Sequence, residues 1–176
     1  YYSNWRARQS LGGWLREHHI VAIQGVDTRM LTKMIRTVGA MRGIISTEDL
    51  DDESLLQKAQ SSPEMSGLDL TKVVTCKEMY HWDAVDETPY VLRPIITPEA
   101  QNGKRFTVVV YDFGAKHNIL RRLTTYGCDL TVVPSDTPAE RVLGMNPDGI
   151  FLSNGPGDPA ATKYAIRTIR KLLDKK

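Results

Sequence analysis

From residue 105 onward, the sequence repeats a unit in which a β-branched run is followed by an amphipathic segment. The first run, RFTVVVYDFGA, is continuous in its apolar residues, which is typical of strands that a parallel sheet buries on both faces. Strands are also predicted at CDLTVVP and IFLSN, and a helical pattern follows each strand. Three consecutive strand–helix pairs predict an α/β fold, the three-stranded start of a doubly wound parallel sheet.

Two of the predicted helices in this part carry specific signals. SDTPAERVLGM is expected to begin with a capping box of Thr137 and Glu140, with Pro138 at the first helical position. The last helix is expected to turn one broad apolar side toward the sheet. That side comprises Tyr164, Ile166, Ile169, Leu172 and Leu173.

Residues 1–76 are predicted to form part of a smaller, mixed α/β domain. Its clearest helix lies in VDTRMLTKMIRTVGA, where Asp27 or Thr28 can cap the start. Short apolar runs in HIVAIQG and MRGIIS, on either side of that helix, predict strands. Residues 77–104 hold prolines and scattered charges without a sustained period, so we expect an interdomain linker there and the doubly wound domain at 105–176.

The composition argues against several classes of function. A formal net charge of +2 is too small by itself to indicate binding to nucleic acid or to an anionic membrane. No run approaches the ~18 apolar residues of a membrane-spanning helix, and no secretory signal opens the sequence. Cys76 and Cys128 show neither a disulfide framework nor a metal motif, so we expect buried apolar thiols in a reducing, intracellular setting. The opening without a Met predicts a processed or shortened chain.

The segment SNGPGDP follows the third predicted strand and is the candidate site. Ligands of open α/β sheets bind beyond the carboxyl ends of the strands. Gly155 and Gly157 let the backbone approach a ligand, whereas Pro156 and Pro159 stiffen the loop and lack N–H groups. The N–H groups of the two glycines suit a developing oxyanion or a substrate carbonyl.

Other interpretations of this loop stay open at the level of the residues. A cluster of glycine and proline between a strand and a helix is most often only a turn. A dinucleotide fingerprint would need a glycine where Ala160 stands, and a phosphate P-loop would need a terminal Gly-Lys-Ser/Thr. The residues alone therefore indicate a loop that can serve as a backbone-donor site.

Longer motifs resemble a known family. FLSNGPGDP and VVVYDFGAKHNILRRL resemble the first half of a class I glutamine amidotransferase domain. GVDTRMLTKMIRTVGAMRG resembles the N-terminal domain of the small, glutamine-hydrolysing subunit of carbamoyl-phosphate synthase, with Val26 in place of the usual Ile. The resemblance implies hydrolysis of glutamine to glutamate and ammonia. A large synthetase subunit would use that ammonia, bicarbonate and ATP to make carbamoyl phosphate for arginine and pyrimidine synthesis.

The resemblance also implies roles for the loop. Gly155 and Gly157 would contact glutamine, with Gly155 the better candidate for the oxyanion donor. The residues expected to shape the loop are Asn154, Pro156, Asp158 and Pro159. The family's catalytic Cys, in G-x-C-x-G-x-Q, and its His and Glu partners would all follow residue 176, so we expect this truncated chain to be inactive alone. We expect no metal or cofactor in it, with ATP and magnesium used by the large subunit.

Further expectations follow from this interpretation. Cys128 starts a predicted strand, at the wrong end of the sheet for a nucleophile, and His117 is expected to be a structural or interface residue. An incomplete sheet predicts an unpaired edge and an uncovered helix face, which favour self-association.

The expected location is the cytoplasm, or the plastid in a photosynthetic source. The alternatives are a non-catalytic amidotransferase-like module that docks to a synthetase subunit, and a different α/β enzyme, which the absence of G-x-S-x-G disfavours.

Overall fold

The structure is a computed structural model that describes residues 2–5, 7–86, 103–173 and 175. The chain divides into two compact units, residues 1–65 and 66–176. The helices within the described residues are α1 (Leu11–Glu17), α2 (Thr28–Val38), α3 (Asp52–Ser61), α4 (Thr71–Val74), α5 (His117–Thr125), α6 (Ala139–Gly144) and α7 (Lys163–Leu173). The strands there are β1 (Tyr80–Trp82), β2 (Phe106–Asp112), β3 (Cys128–Pro134) and β4 (Gly149–Leu152). None of the helices in this part of the chain is long and apolar enough to cross a membrane.

The second unit is built on a four-stranded sheet with the order β1-β3-β2-β4. Strand β2 lies between β3 and β4 and is parallel to both, with Val110 opposite Val132 on one side and Phe151 on the other. The predicted α/β fold with three parallel strands is therefore confirmed. The central position of the first of these strands is the arrangement expected when crossovers place helices on both faces.

The core lies on both faces of the sheet, as the unbroken apolar run of β2 predicts. Val109 and Tyr111 pack with Val142 of α6 and Leu172 of α7. Val110, between them in sequence, packs in a second cluster with Leu120 of α5, Leu130 and Val132. Because successive residues of a strand point to opposite faces, α5 covers one face and α6 and α7 cover the other.

Strand β1 is an addition to the predicted sheet. It pairs antiparallel with β3, with Tyr80 opposite Val132 and Trp82 opposite Leu130. The sequence did not indicate it, because three residues are too few to show a period of two. It lies inside the segment 77–104 that we predicted as a linker; residues 87–102 of that segment lie outside the described residues. The division into 1–76, 77–104 and 105–176 stays a prediction.

The helix α6 does not start with the predicted capping box. It begins at Ala139, with Pro138 as the N-cap, and no side chain caps its first turn. The backbone of Thr137 is used elsewhere: its N–H donates to the carbonyl of Pro134, and its carbonyl accepts the hydroxyl of Tyr111 at 3.0 Å. The turn after β3 and the core tyrosine thus decide where this helix begins.

The buried face of α7 is rotated relative to the prediction. Ala165 and Leu172 are buried and Ile169 is half-buried, at the i, i+4, i+7 spacing of one helical stripe. Ile166 and Leu173 lie outside this stripe and are exposed, Leu173 by 70%. The prediction was wrong for these two because it counted every apolar residue as inward-facing.

The first unit contains α1, α2 and α3 among its described residues. Helix α2 begins as predicted, because the carboxylate of Asp27 accepts the N–H of Met30 at 2.9 Å. The strands predicted in HIVAIQG and MRGIIS are not formed in this structure, so these two predictions were wrong. A lone extended segment gains little without a partner strand, and Ile23 and Ile45 are 61% and 56% exposed here.

Candidate functional site

The loop at 153–158 leaves the carboxyl end of β4, beside the carboxyl end of the parallel strand β2. The loop lines a cavity of about 260 Å³. The other lining residues come from the ends of β2 and β4, the start of α4, the segment leading into α7, and α7 itself: Phe113, Leu152, Thr71, Pro159, Thr162, Ala165, Ile166 and Ile169. The cavity therefore lies at the edge of the sheet where open α/β folds bind ligands.

Gly155 lies directly against the backbone that leaves β2. A Cβ atom at this position would come within 2.2 Å of the carbonyl oxygen of Phe113, so the close approach requires glycine. Within the described part of the chain, the N–H groups of Gly155 and Gly157 donate no hydrogen bond. Pro156 between them has no N–H. Two backbone donors therefore stand unused at the wall of the cavity.

Gly157 and Asp158 contact the segment that precedes α4, residues 67–70. Gly157 has a φ of +91°, and a Cβ atom there would come within 2.8 Å of the carbonyl oxygen of Leu68. The N–H of Asp158 donates to that same oxygen at 3.2 Å. The carboxylate of Asp158 accepts the N–H groups of Gly67 at 3.0 Å and Ala160 at 2.9 Å. These bonds, chiefly that from Gly67, lower the pKa of Asp158 from its usual value.

The remaining residues of the loop connect it to the turn after β2. The side-chain amide of Asn154 donates to the carbonyl of Gly114 at 3.3 Å and accepts the N–H of Lys116 at 3.4 Å. The hydroxyl of Ser153 accepts the N–H of Phe113 at 2.9 Å. Pro159 begins a short 3-10 helix, Pro159–Ala161, that leads into α7.

Asp112, at the end of β2, was not among the residues singled out from the sequence. Its carboxylate is buried, and it accepts three backbone N–H groups, those of Cys76, Gly114 and Ala115, at 2.8–2.9 Å. It therefore holds the turn after β2 against the segment that follows α4. Its position at the end of a buried strand and before Phe-Gly was the available signal.

A second polar link that the sequence analysis missed joins α7 to the rest of the cavity. The hydroxyl of Tyr164 lies 2.7 Å from the hydroxyl of Thr71 and 3.3 Å from that of Ser135. Thr71 and Ser135 are buried, at the start of α4 and just after β3. Tyr164, predicted only as an apolar inward residue, thus bridges three elements through its hydroxyl.

The cysteines and His117 are not arranged as a nucleophile and its base. Cys128 pairs with Phe106 at the amino end of the sheet, opposite to the loop, and burial raises the pKa of its thiol. Burial and, next, the charge of Asp112 raise the pKa of Cys76 to about 11. The ring of His117 packs on Trp82 with centroids 5.0 Å apart. Among the described residues, no group of three or more His, Cys, Asp or Glu could hold a metal ion.

Comparison with known families gives two matches at separate parts of the chain. The model of the family described as "Glutamine amidotransferase class-I" matches residues 109–176, which include β2, the loop and α7. The model described as "Carbamoyl-phosphate synthase small chain, CPSase domain" matches residues 1–45, which include α1 and α2. The two matches thus lie at opposite ends of the chain, one in each compact unit.

Individual relatives align with nearly the whole chain. The carbamoyl phosphate synthase small chain of Syntrophotalea carbinolica is 54% identical over 99% of this chain and 46% of its own length. Those of Thermosynechococcus vestitus and Salmonella typhimurium are 56% and 50% identical, over 97% and 98% of this chain and 44% and 45% of their own lengths. This chain spans somewhat less than half the length of the curated relatives it matches. From both family matches and these relatives, we conclude that the chain belongs to the carbamoyl-phosphate synthase small chain family, with a class I glutamine amidotransferase fold in its second unit.

Proposed function

We propose that the protein to which this chain belongs hydrolyses glutamine to glutamate and ammonia, as the small subunit of a carbamoyl-phosphate synthase. The observation that carries the proposal is the pair of N–H groups at Gly155 and Gly157, which no acceptor in the described part of the chain uses. They stand at the wall of the cavity, at the carboxyl edge of the sheet. The names of the relatives support the assignment to a carbamoyl phosphate synthase, and the description of the family matched at residues 109–176 supports the use of glutamine.

The proposed chemistry assigns the charge-stabilising part of the site to this chain. A thiolate adds to the side-chain carbonyl carbon of glutamine, and negative charge develops on the carbonyl oxygen. Gly155 donates its N–H to that oxygen, and Gly157 contacts the substrate beside it. Asn154, Pro156, Asp158 and Pro159 shape the loop. The amide nitrogen then leaves as ammonia, and water hydrolyses the resulting thioester to glutamate. Neither Cys76 nor Cys128 lines the cavity, so neither is proposed as the source of the thiolate.

The partners follow from the same proposal. A large synthetase subunit receives the ammonia and combines it with bicarbonate and ATP-derived phosphate, so ATP and magnesium act there. Glutamine is the ligand proposed for this chain, without a cofactor of its own. The carbamoyl phosphate would serve arginine and pyrimidine synthesis. The proposed location is the cytoplasm, or the plastid if the source is photosynthetic.

We expect the 176-residue chain to release no glutamate from glutamine when it is assayed alone. Oxyanion donors do not generate a thiolate, and the thiol pKa is raised at both Cys76 and Cys128. The assay compares the chain with its Cys128→Ser variant in an enzyme-coupled measurement of glutamate. Glutamate release that Cys128→Ser abolishes would contradict the assignment of the site to the loop.

The complete natural protein, assembled with its synthetase subunit, tests the activity itself. We expect carbamoyl phosphate from either glutamine or free ammonia. A complex that uses ammonia but not glutamine would favour the alternative, a non-catalytic amidotransferase-like module that docks to a synthetase subunit. A protein that does not associate with any synthetase subunit would contradict both proposals.

We also propose that the isolated chain self-associates through β4. Within the described residues, this strand pairs only with β2, and its last residue, Leu152, is 40% exposed. Ile166 of α7, which lines the same cavity, is 37% exposed. An unpaired strand edge next to apolar side chains is a template for pairing. We expect sedimentation coefficients that rise with concentration and fall in Leu152→Lys; a monomer at all concentrations would contradict this.

A further inference from the structure

The candidate loop is fixed to a segment far away in the sequence by two hydrogen bonds. The N–H of Gly67 donates to a carboxylate oxygen of Asp158 at 3.0 Å, across 91 residues. In the reverse direction, the N–H of Asp158 donates to the carbonyl of Leu68 at 3.2 Å. Gly67, Leu68 and Asp158 all belong to the second compact unit, so these hydrogen bonds lie inside one folded body.

The same carboxylate also organises the chain on the other side of the loop. Its second oxygen accepts the N–H of Ala160 at 2.9 Å and so caps the short helix that starts at Pro159. Each oxygen of Asp158 thus holds a different backbone segment. The lowered pKa of Asp158 is consistent with a carboxylate that stays ionised to accept both bonds.

The segment held by Asp158 forms the support for the glycine donors. A Cβ atom at Gly157 would lie 2.8 Å from the carbonyl oxygen of Leu68 and 3.2 Å from the nitrogen of Leu70, so Gly157 lies directly on this backbone. The next residue, Thr71, lines the cavity and is hydrogen bonded to Tyr164. A shift of residues 67–71 would therefore move the donor at Gly157.

We propose that Asp158 is a positioning residue for glutamine hydrolysis: by binding the backbone of Gly67 and Ala160, it holds the N–H group of Gly157 in the geometry that glutamine needs. The proposal rests on the proposed function, and it assigns Asp158 no contact with the substrate. Backbone donors stabilise a developing oxyanion only if they are already in place, within about 0.5 Å, when the charge forms. Ser153 and Asn154 bind one end of the loop to the turn after β2, and the side-chain bonds of Asp158 fix the other end, next to Gly157.

The kinetic test compares Asp158→Ala and Asp158→Asn in the complete natural protein with its synthetase subunit. We expect Asp158→Ala to lower kcat/KM for glutamine about 30-fold, with a raised KM, because both ground-state and transition-state contacts lose their alignment. Asp158→Asn keeps one acceptor oxygen, so we expect a loss of only about 5-fold. Synthesis from free ammonia should stay within about twofold in both variants.

The matched control is Asp148→Ala. Asp148 also uses its carboxylate to hold a backbone N–H, that of Thr107 at 2.8 Å, but at the amino end of the sheet. Asp148→Ala removes a comparable hydrogen bond to the backbone and leaves the contacts of the loop in place. We therefore expect kcat/KM for glutamine to stay within about twofold. A loss in Asp148→Ala as large as in Asp158→Ala would mean that both act through general stability, and would overturn the positioning role.

Amide hydrogen exchange of the same proteins gives a readout that does not depend on activity. We expect peptides that contain Gly67 and Ala160 to exchange about 10-fold faster in Asp158→Ala and at the wild-type rate in Asp148→Ala. Unchanged exchange at Gly67, or an unchanged kcat/KM in Asp158→Ala with an active wild type, would overturn the inference and leave the proposed function intact. A wild type that does not hydrolyse glutamine would instead overturn the proposed function.

Discussion

Replacing Asp112 by alanine is expected to lower the free energy of unfolding by about 3–5 kcal/mol, because three backbone donors lose their acceptor at once. The carboxylate is buried and accepts the N–H groups of Cys76, Gly114 and Ala115. An unsatisfied buried N–H costs about 1–3 kcal/mol, and the turn after β2 cannot supply a replacement acceptor without moving. Urea denaturation followed by circular dichroism measures the change.

Two further variants separate hydrogen bonding from charge. Asp112→Asn keeps one acceptor oxygen, so we expect it to lose about half as much stability as Asp112→Ala. Asp136→Ala removes an exposed carboxylate from the loop after β3, and we expect a change within about 0.5 kcal/mol. If Asp112→Ala unfolded at the same urea concentration as Asp136→Ala, the bonding role of Asp112 would be refuted.

Gly155→Ala is expected to have the largest effect on the proposed activity. The new methyl group would lie 2.2 Å from the carbonyl oxygen of Phe113, which belongs to the backbone and cannot rotate away. The loop must therefore shift, and we expect a loss of stability of about 2–3 kcal/mol from overpacking. In the complete protein, the displaced N–H should lower kcat/KM for glutamine by about 100-fold, as the loss of an oxyanion donor does elsewhere.

The control for this variant is Gly144→Ala at the end of α6. A Cβ atom there meets nothing within 4 Å. Alanine favours the helix over glycine, so we expect unchanged or slightly increased stability, by up to about 0.5 kcal/mol, and unchanged activity. A Gly155→Ala protein with wild-type stability and kcat/KM would show that the loop is not held against Phe113 as described.

Local sequence signals predicted the elements of the second unit well. The run through residues 108–110 has no polar interruption, which is typical of a strand covered on both faces, and β2 is such a strand. The Asp27 cap and the turn at the Gly-Pro-Gly loop are also local, because each depends on a few neighbouring residues. The strands predicted in the first unit failed for the opposite reason: a strand needs a partner, and no local signal shows whether one is present.

The candidate loop also combines features that local sequence predicts with contacts between distant residues that it does not predict. Its position after a strand and its content of glycine and proline identified it in the sequence, as did the family motif. What holds it does not follow from any local pattern: Asp158 binds Gly67 across 91 residues, and Asp112 binds Cys76 across 36. Tyr164 was likewise predicted only as an apolar residue of α7, and the structure shows its hydroxyl within hydrogen-bond distance of the hydroxyl of Thr71.

By itself, the sequence determined the α/β class, the family and the loop that carries the two glycine donors, because periodicity, turn chemistry and motifs are all encoded over short spans. Only the tertiary structure decided the strand order, the added strand β1, the buried stripe of α7 and the reason that Gly155 must be glycine. These depend on which distant backbones approach each other. A contact such as that between Gly155 and Phe113 exists only after β2 and β4 have paired with a common register.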